Sequence, residues 1–307
     1  MHPILFHLGG LTIRSYGVLI MAGFIIGLWR AINVCKRRMA TEPDGSARRI
    51  DPDTIFDIGF FGLLVSLPGA HIVFVMLNWS DYASRPLDAL KIWEGGMSLH
   101  GGMFFAILFL LWACLKWKKV SVLCAGDICA VSWAVAYAIG RIGCLLNGCC
   151  YGGPCSLPWA VRFPDEKYPF ANPPLLTAPS HPIQIYGAIF NLFFFAWLVR
   201  WEKRPRRDGE LFFAYIAMYG FYRYVMEIFR AGVTSTYLIP RIHLTDTHII
   251  SVIMMAVGIG AILWLHRNRP AYKDAYGMGR AAAAPTDPGM RTQGAIDPKL
   301  DKVKGRA

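Results

Sequence analysis

Arg141, Arg223, Glu227 and His100 stand in stretches that are otherwise apolar, and their types and spacing suit chemistry on an anion. Arg141 lies in Gly140-Arg141-Ile142-Gly143-Cys144-Leu145-Leu146-Asn147-Gly148. Arg223 and Glu227 lie in Tyr219-Gly220-Phe221-Tyr222-Arg223-Tyr224-Val225-Met226-Glu227-Ile228-Phe229-Arg230. Positions 223, 227 and 230 are spaced i, i+4, i+7, which puts them on one helix face. Arg223 and Glu227 can be read as a buried pair holding helices together, but Arg141 has no acidic residue one turn away. Ionisable groups are costly in hydrocarbon, so inside a span they face a protein interior or a watery cavity and mark function. A guanidinium is a rigid fork of donors that matches phosphate oxygens. Two converging arginines beside lipid therefore suit a phospholipid headgroup. His100 closes Gly95-Gly96-Met97-Ser98-Leu99-His100-Gly101-Gly102. A lone His is usually a hydrogen-bonded structural residue. Here the neighbouring glycines permit close backbone approach, and an imidazole can accept a proton from a thiol or hydroxyl near neutral pH.

Eight cysteines add a second kind of chemistry. Cys35, Cys114, Cys124 and Cys129 read as small buried apolar residues. Cys144, Cys149, Cys150 and Cys155 form C-x4-C-C-x4-C around the end of one apolar run. That spacing lacks the paired CxxC knuckles of structural zinc sites. It is expected to give one or two disulfides or unpaired thiols, with a metal or redox centre as the alternative.

These residues need a scaffold, and the composition says which kind. The chain has 307 residues, 55% hydrophobic and only 17% charged, with mean hydropathy +0.37. A disordered chain needs the opposite balance, and a soluble globule runs to about a quarter charged. A polytopic membrane protein is the natural reading. Crossing hydrocarbon takes about 20 apolar residues per helix. Seven runs qualify, approximately Tyr16–Asn33, Ile55–Leu77, Gly101–Trp117, Val122–Leu146, Ile183–Trp201, Leu211–Phe229 and His248–His266. The first is expected to remain as a span, since no basic region precedes it and no small-residue cleavage site follows. No internal repeat of the kind seen in many transporters is visible. Trp79, Tyr82, Trp93, Trp117 and Trp201 sit near span ends, as interfacial aromatics do.

The net charge of +12 is placed by the same spans. Of 32 Lys and Arg, 23 fall on alternate segments that begin with the loop after the first span and include the tail. Seven fall on the other set, and Arg141 and Arg223 lie within spans. The positive-inside rule then puts the N-terminus outside and the C-terminus in the cytoplasm. It also accounts for the basic excess without nucleic acid. Residues 1–269 are expected to form the transmembrane domain. Residues 270–307, rich in Ala, Pro, Gly and charge, are expected to be a disordered basic tail. On this topology Tyr16, His100, Arg141, His181-Pro182-Ile183-Gln184-Ile185-Tyr186 and the Arg223 cluster all fall at the outer ends of spans.

The combination of Gly96-Met97-Ser98-Leu99-His100-Gly101-Gly102, Gly140-Arg141-Ile142-Gly143, Asn147-Gly148, His181-Pro182-x-Gln184-x-Tyr186 and Tyr219-Gly220-x-x-Arg223-x-x-x-Glu227-x-x-Arg230 resembles the bacterial phosphatidylglycerol–prolipoprotein diacylglyceryl transferases, in order, over about residues 10–266. The resemblance implies an inner-membrane enzyme with seven spans in this orientation. It implies transfer of the diacylglyceryl group of phosphatidylglycerol to the lipobox cysteine thiol of a prolipoprotein carrying its signal peptide. That is the first step of lipoprotein maturation; glycerol phosphate leaves and a thioether forms. A thiol must lose its proton to attack, and cations must stabilise the leaving phosphate. By resemblance His100 is the base, and Arg141 and Arg223 are the essential arginines. Tyr16, Asn147, Tyr219, Glu227, Arg230, His181 and Gln184 bind substrate. The resemblance calls for no metal, cofactor or nucleic acid; the partners are phosphatidylglycerol, membrane lipid and the prolipoprotein.

The departures from the family pattern are specific. Cys144 and Cys149 stand where the family signature has Asn and Glu. His71 stands for the Arg of a Gly-Gly-Arg motif, Gly187 for a Glu, and His248 for a Gln. Two other readings follow from them. One is a membrane thiol-redox or metal-handling protein using the Cys144/Cys149/Cys150/Cys155 cluster. The other is a lipid-binding or transport protein without catalysis.

Overall fold

Each of the seven apolar runs folds as a helix in the computed structural model, which describes residues 2–8, 11–39, 49–83, 85–92, 96–164, 175–204, 206–230, 245–269 and 271. The helices are α1 (Ser15–Met39), α2 (Pro52–Leu77), the single turn α3 (Trp79–Tyr82), α4 (Leu99–Trp112), α5 (Val122–Asn147), α6 (Ile183–Glu202), α7 (Glu210–Ile228) and α8 (Asp246–Asn268). The third run is shorter as an α-helix than expected and finishes in a π turn over Ala113–Trp117. A two-stranded antiparallel hairpin, β1 (Ile4–Leu8) and β2 (Leu11–Arg14), precedes α1. It corrects the all-helical expectation: these few residues carry no pattern long enough to announce a hairpin. The expected tail, apart from Ala271, lies outside the described residues, as do Arg48, Trp93, Lys167 and Arg241.

The helix ends follow from local chemistry. Ser121 Oγ accepts from Cys124 N (3.3 Å) to start α5, and Gly148, at φ 75°, ends it, a left-handed turn that glycine takes without strain. Pro52 opens α2 at a position where its missing N–H costs nothing. The start of α7 is capped from a distance. Asp127, buried on α5, accepts from Gly209 N (3.0 Å) and Phe212 N (2.9 Å).

The helix α5 is the centre, enclosed by α1, α6 and α7; α2 joins α1 to α4, and α8 lies on α7. Backbones approach closely where side chains are small, as expected between helices in lipid. A Cβ on Gly258 of α8 would lie 2.6 Å from Phe213 O of α7. The outward faces of the peripheral helices are apolar, with Trp29, Met76, Phe193 and Leu263 well exposed. A soluble monomer rarely leaves so much apolar surface uncovered; against lipid it is ordinary. Five helices, α1, α2, α5, α6 and α8, are long and apolar enough to cross a membrane, and Gly101–Trp117 is a shorter apolar helix. The remaining one, α7, carries Glu210, Arg223 and Glu227.

Charges gather at both ends of this bundle. Where α1 and α6 finish, Arg30 pairs with Glu202 and also reaches Ser132 Oγ (3.3 Å). Lys118 pairs with Asp57. Glu210 takes both Arg207 (3.3 Å) and His266 (2.6 Å).

Candidate active site

The start of α1, the end of α5, the start of α6 and the end of α7 meet at the opposite end of the bundle. Gly143 lies against Tyr16, where a Cβ would be 3.4 Å from its ring. Gly187 lies against Arg141 and Tyr222. Arg141 is half-buried there. Its Nε donates to Tyr137 Oη (3.0 Å), a second guanidinium nitrogen reaches the same oxygen, and Cζ sits 4.9 Å from the Tyr137 ring centroid. Among the described residues no carboxylate pairs with it. The Tyr137 ring stands edge-on to Tyr219 and Tyr222, with centroids 5.7 and 6.1 Å away. Tyr222 is buried. Arg141 is therefore a cation held by phenols and aromatic faces, its charge available to an anion that enters. Gly187 makes room for this: a Cβ there would be 2.5 Å from Tyr222 Oη and 3.3 Å from Arg141 Cγ.

Arg223 and Glu227 form the pair that their spacing predicts, Nη1 to Oε2 at 2.8 Å. Arg223 is 22% exposed and Glu227 fully buried. Only one carboxylate oxygen is used; Glu227 Oε1 is buried without a partner. Tyr219 lies within electrostatic reach of both Arg141 and Arg223, and its ring packs edge-on to Tyr137. The helix ends at Ile228 with Phe229 as its cap, and Arg230 sits in the turn that continues it, its N donating to Glu227 O (3.0 Å). It lies within electrostatic reach of Cys150.

No disulfide joins any of the eight cysteines in the structure. The chain reverses at Gly148 (φ 75°) and Cys150 (φ 62°), which folds Cys149 and Cys150 back over Cys144. The three Sγ atoms lie within 4.8 Å of one another; Cys155 is not among them. The Cys150 thiol is pulled below its ordinary value, first by hydrogen bonds from Cys144 and Cys149 and further by the charges of Arg141 and Arg230. Asn147 reaches the Cys149 thiol, and Tyr16 lies within electrostatic reach of all three sulfurs. Gln184, fully buried, donates from Nε2 to Cys149 O (2.8 Å), while its Oε1 has no partner. His181 packs on Phe229 at 4.9 Å with Nδ1 buried and unpartnered. Its backbone pairs with Gly152 and Gly153, and Gly153 N also donates to Phe229 O (2.7 Å). That pairing ties the loop after α5 to the start of α6 and the end of α7.

His100 lies in the first turn of α4, and its side chain is outside the described residues. The backbone that carries it is well fixed. Ser98 caps the helix, accepting at Oγ from Gly101 N (3.3 Å), and Ser98 N donates to Ala70 O (3.0 Å). Gly101 crosses α2 so closely that a Cβ would lie 2.9 Å from Gly69 O. His71, two residues on from Gly69 in α2, sets its ring nitrogens 2.9 Å from Gly96 O and 3.1 Å from Ala89 O, fastening the segment that leads into α4. His248 is similarly structural: with Thr245 it forms a capping box at the start of α8.

The structure thus brings Tyr16, Arg141, Asn147, His181, Gln184, Tyr219, Arg223, Glu227 and Arg230 to one end. Sequence reasoning missed Tyr137, the direct partner of Arg141. It sits four residues earlier, the i, i+4 spacing that paired Arg223 with Glu227, but a phenol does not stand out in an apolar run.

Apolar outer faces around a bundle with a cationic polar end define a multi-pass helical membrane protein. A model of the prolipoprotein diacylglyceryl transferase family matches residues 3–264. Relatives named phosphatidylglycerol–prolipoprotein diacylglyceryl transferase align along most of their length. The protein of Cupriavidus pinatubonensis is 31% identical over 87% of this chain and 92% of its own. That of Nostoc sp. is 32% identical over 87% and 91%, and that of Cupriavidus metallidurans 30% over 92% and 97%. The chain belongs to the prolipoprotein diacylglyceryl transferase family.

Proposed function

We propose that this chain transfers the diacylglyceryl group of phosphatidylglycerol to the lipobox cysteine of a prolipoprotein held by its signal peptide, in the bacterial inner membrane. The observation that carries the reading is Arg141: a guanidinium set among tyrosines with no carboxylate partner among the described residues, beside a second arginine whose glutamate keeps one oxygen spare. The charge distribution along the chain supports seven spans with the N-terminus outside and residues 1–269 as the catalytic unit.

The substrate thiol gives its proton to His100, which the sequence places at the start of α4. Its sulfur attacks the diacylglyceryl carbon that bears the phosphate. The C–S bond forms as the C–O bond breaks, and the electron pair leaves with glycerol phosphate. Arg141 and Arg223 hold that phosphate and meet the charge developing on its oxygen. Tyr219, beside Tyr137, and Tyr16, at the mouth of α1, position the headgroup. Glu227 aims Arg223. Asn147, Gln184, His181 and Arg230 shape the loop side of the site.

The test is complementation. The host's own transferase is depleted, this chain is expressed, and the mass of a reporter lipoprotein is read for a diacylglyceryl thioether on its lipobox cysteine. Modification by the wild type, lost in His100→Ala and Arg141→Ala, is expected. An unmodified reporter beside well-folded wild-type protein would overturn the reading.

A further inference from the structure

The transfer just described uses none of the chain's own cysteines, yet three stand together beside Arg141. We propose that Cys144, Cys149 and Cys150 bind one soft, thiophilic divalent cation of the zinc class through their three sulfurs. The geometry is already close. Each pair of Sγ atoms is within 4.8 Å, whereas Zn–S bonds of about 2.3 Å place sulfurs about 3.8–4.0 Å apart. The cluster needs to contract by less than about 1 Å. The donors are all sulfur, which selects zinc, cadmium and their like over magnesium or calcium. The three cysteines are half-buried, sheltered yet reachable by an ion.

The backbone that presents them is held from several sides. Cys149 N donates to Cys144 O (3.2 Å), closing the turn on the end of α5. Gln184, buried on α6, holds the Cys149 carbonyl, and outer partners of this kind keep ligands aimed. As three S–metal bonds form, three thiol protons pass to solvent. The resulting centre carries one net negative charge. Arg141 and Arg230, both within electrostatic reach of Cys150, offset it. Where the spacing C-x4-C-C-x4-C raises four candidate ligands, the fold unites three and leaves Cys155 out.

The site is independent of the transfer reading because its readout is metal and not activity. Reduced, full-length protein in detergent is titrated with Cd2+, and the ultraviolet thiolate-to-cadmium charge-transfer band is followed. One Cd2+ per chain is expected, displaced by Zn2+ and accompanied by loss of three thiols from reaction with a thiol reagent. Cys144→Ser, Cys149→Ser and Cys150→Ser should each weaken binding by more than the roughly 10–100-fold that loss of an outer partner costs. Cys155→Ser and Cys129→Ser should bind as wild type. Absence of the band in reduced wild-type protein would overturn the proposal, whatever the variants do. So would its survival in the triple serine variant, loss of binding in Cys155→Ser, or a disulfide among the three in protein isolated with its thiols blocked.

Discussion

At the end of the bundle where α1 and α6 finish and α7 begins, cations pair with carboxylates. Arg30 has Glu202, Lys118 has Asp57, and Glu210 has Arg207 and His266. Asp127 takes two backbone N–H groups of α7 and lies 4.0 Å from Arg206. At the other end, among the described residues, Arg141 rests on a phenol and Glu227, Gln184 and His181 each keep one buried polar atom without a partner. An unpaired buried polar atom costs on the order of 1–3 kcal/mol. Buried atoms without a partner occur at both ends, Glu202 Oε1 at the first; what sets the second apart is Arg141, a cation with no carboxylate partner among the described residues and so open to an anionic ligand. The difference separates residues that should matter for turnover from those that should matter for stability.

The largest break in that contrast should come from Arg141→Ala. Loss of a preorganised donor to a developing oxyanion costs about 3–4 kcal/mol, or roughly 10²–10³ in kcat. Thermal unfolding in detergent should hardly move, since Arg141 repays no carboxylate. Arg141→Lys should recover only part of the rate, because a point charge does not reproduce the fork.

Arg223→Ala should hurt both ways. It strands the buried Glu227 carboxylate, and breaking a buried pair from one side costs about 3–5 kcal/mol. Adding Glu227→Gln to it should restore much of the stability and none of the turnover, which a thermal melt beside an activity assay will separate. Return of turnover together with stability in the double variant would make the pair purely structural.

Gly187→Ala should be next. Its Cβ would crowd Tyr222 Oη and Arg141 Cγ at 2.5 and 3.3 Å, an overpacking worth about 1–3 kcal/mol. Displacement of Arg141 should make kcat fall further than the melting temperature. Asp127→Asn should show the converse: about 1 kcal/mol of stability lost with the α7 cap, and turnover near wild type. The smallest effect is expected at His266→Ala. His266 is half exposed, and such pairs contribute about 0–1 kcal/mol, so the melt should shift little and activity not at all.

Much of this was legible in the sequence, and what was not has physical reasons. The seven helices follow from long apolar runs, and Arg223–Glu227 follows from opposite charges one turn apart. The same spacing joins Tyr137 to Arg141, but only the fold shows that the cation lies on a phenol. The thiol cluster was half visible. Sequence places four cysteines near one helix end; the left-handed turns at Gly148 and Cys150 choose three of them. The cap that Asp127 gives to α7 spans 82 residues, and no local pattern carries information over that distance. Nor does Gly187 announce its role: its meaning is the space it leaves for Arg141. The hairpin before α1 is too short for period to reveal.

The most direct test of the contrast is transfer by purified protein in phosphatidylglycerol vesicles, with a lipobox peptide as acceptor and glycerol phosphate release as the signal. Wild type, Arg141→Ala and Asp127→Asn are compared at equal folded concentration. The expected result is a rate lowered by about 100-fold or more in Arg141→Ala, with Asp127→Asn close to wild type but melting earlier. Near wild-type release by folded Arg141→Ala would contradict the account, because the open cation would then hold no phosphate.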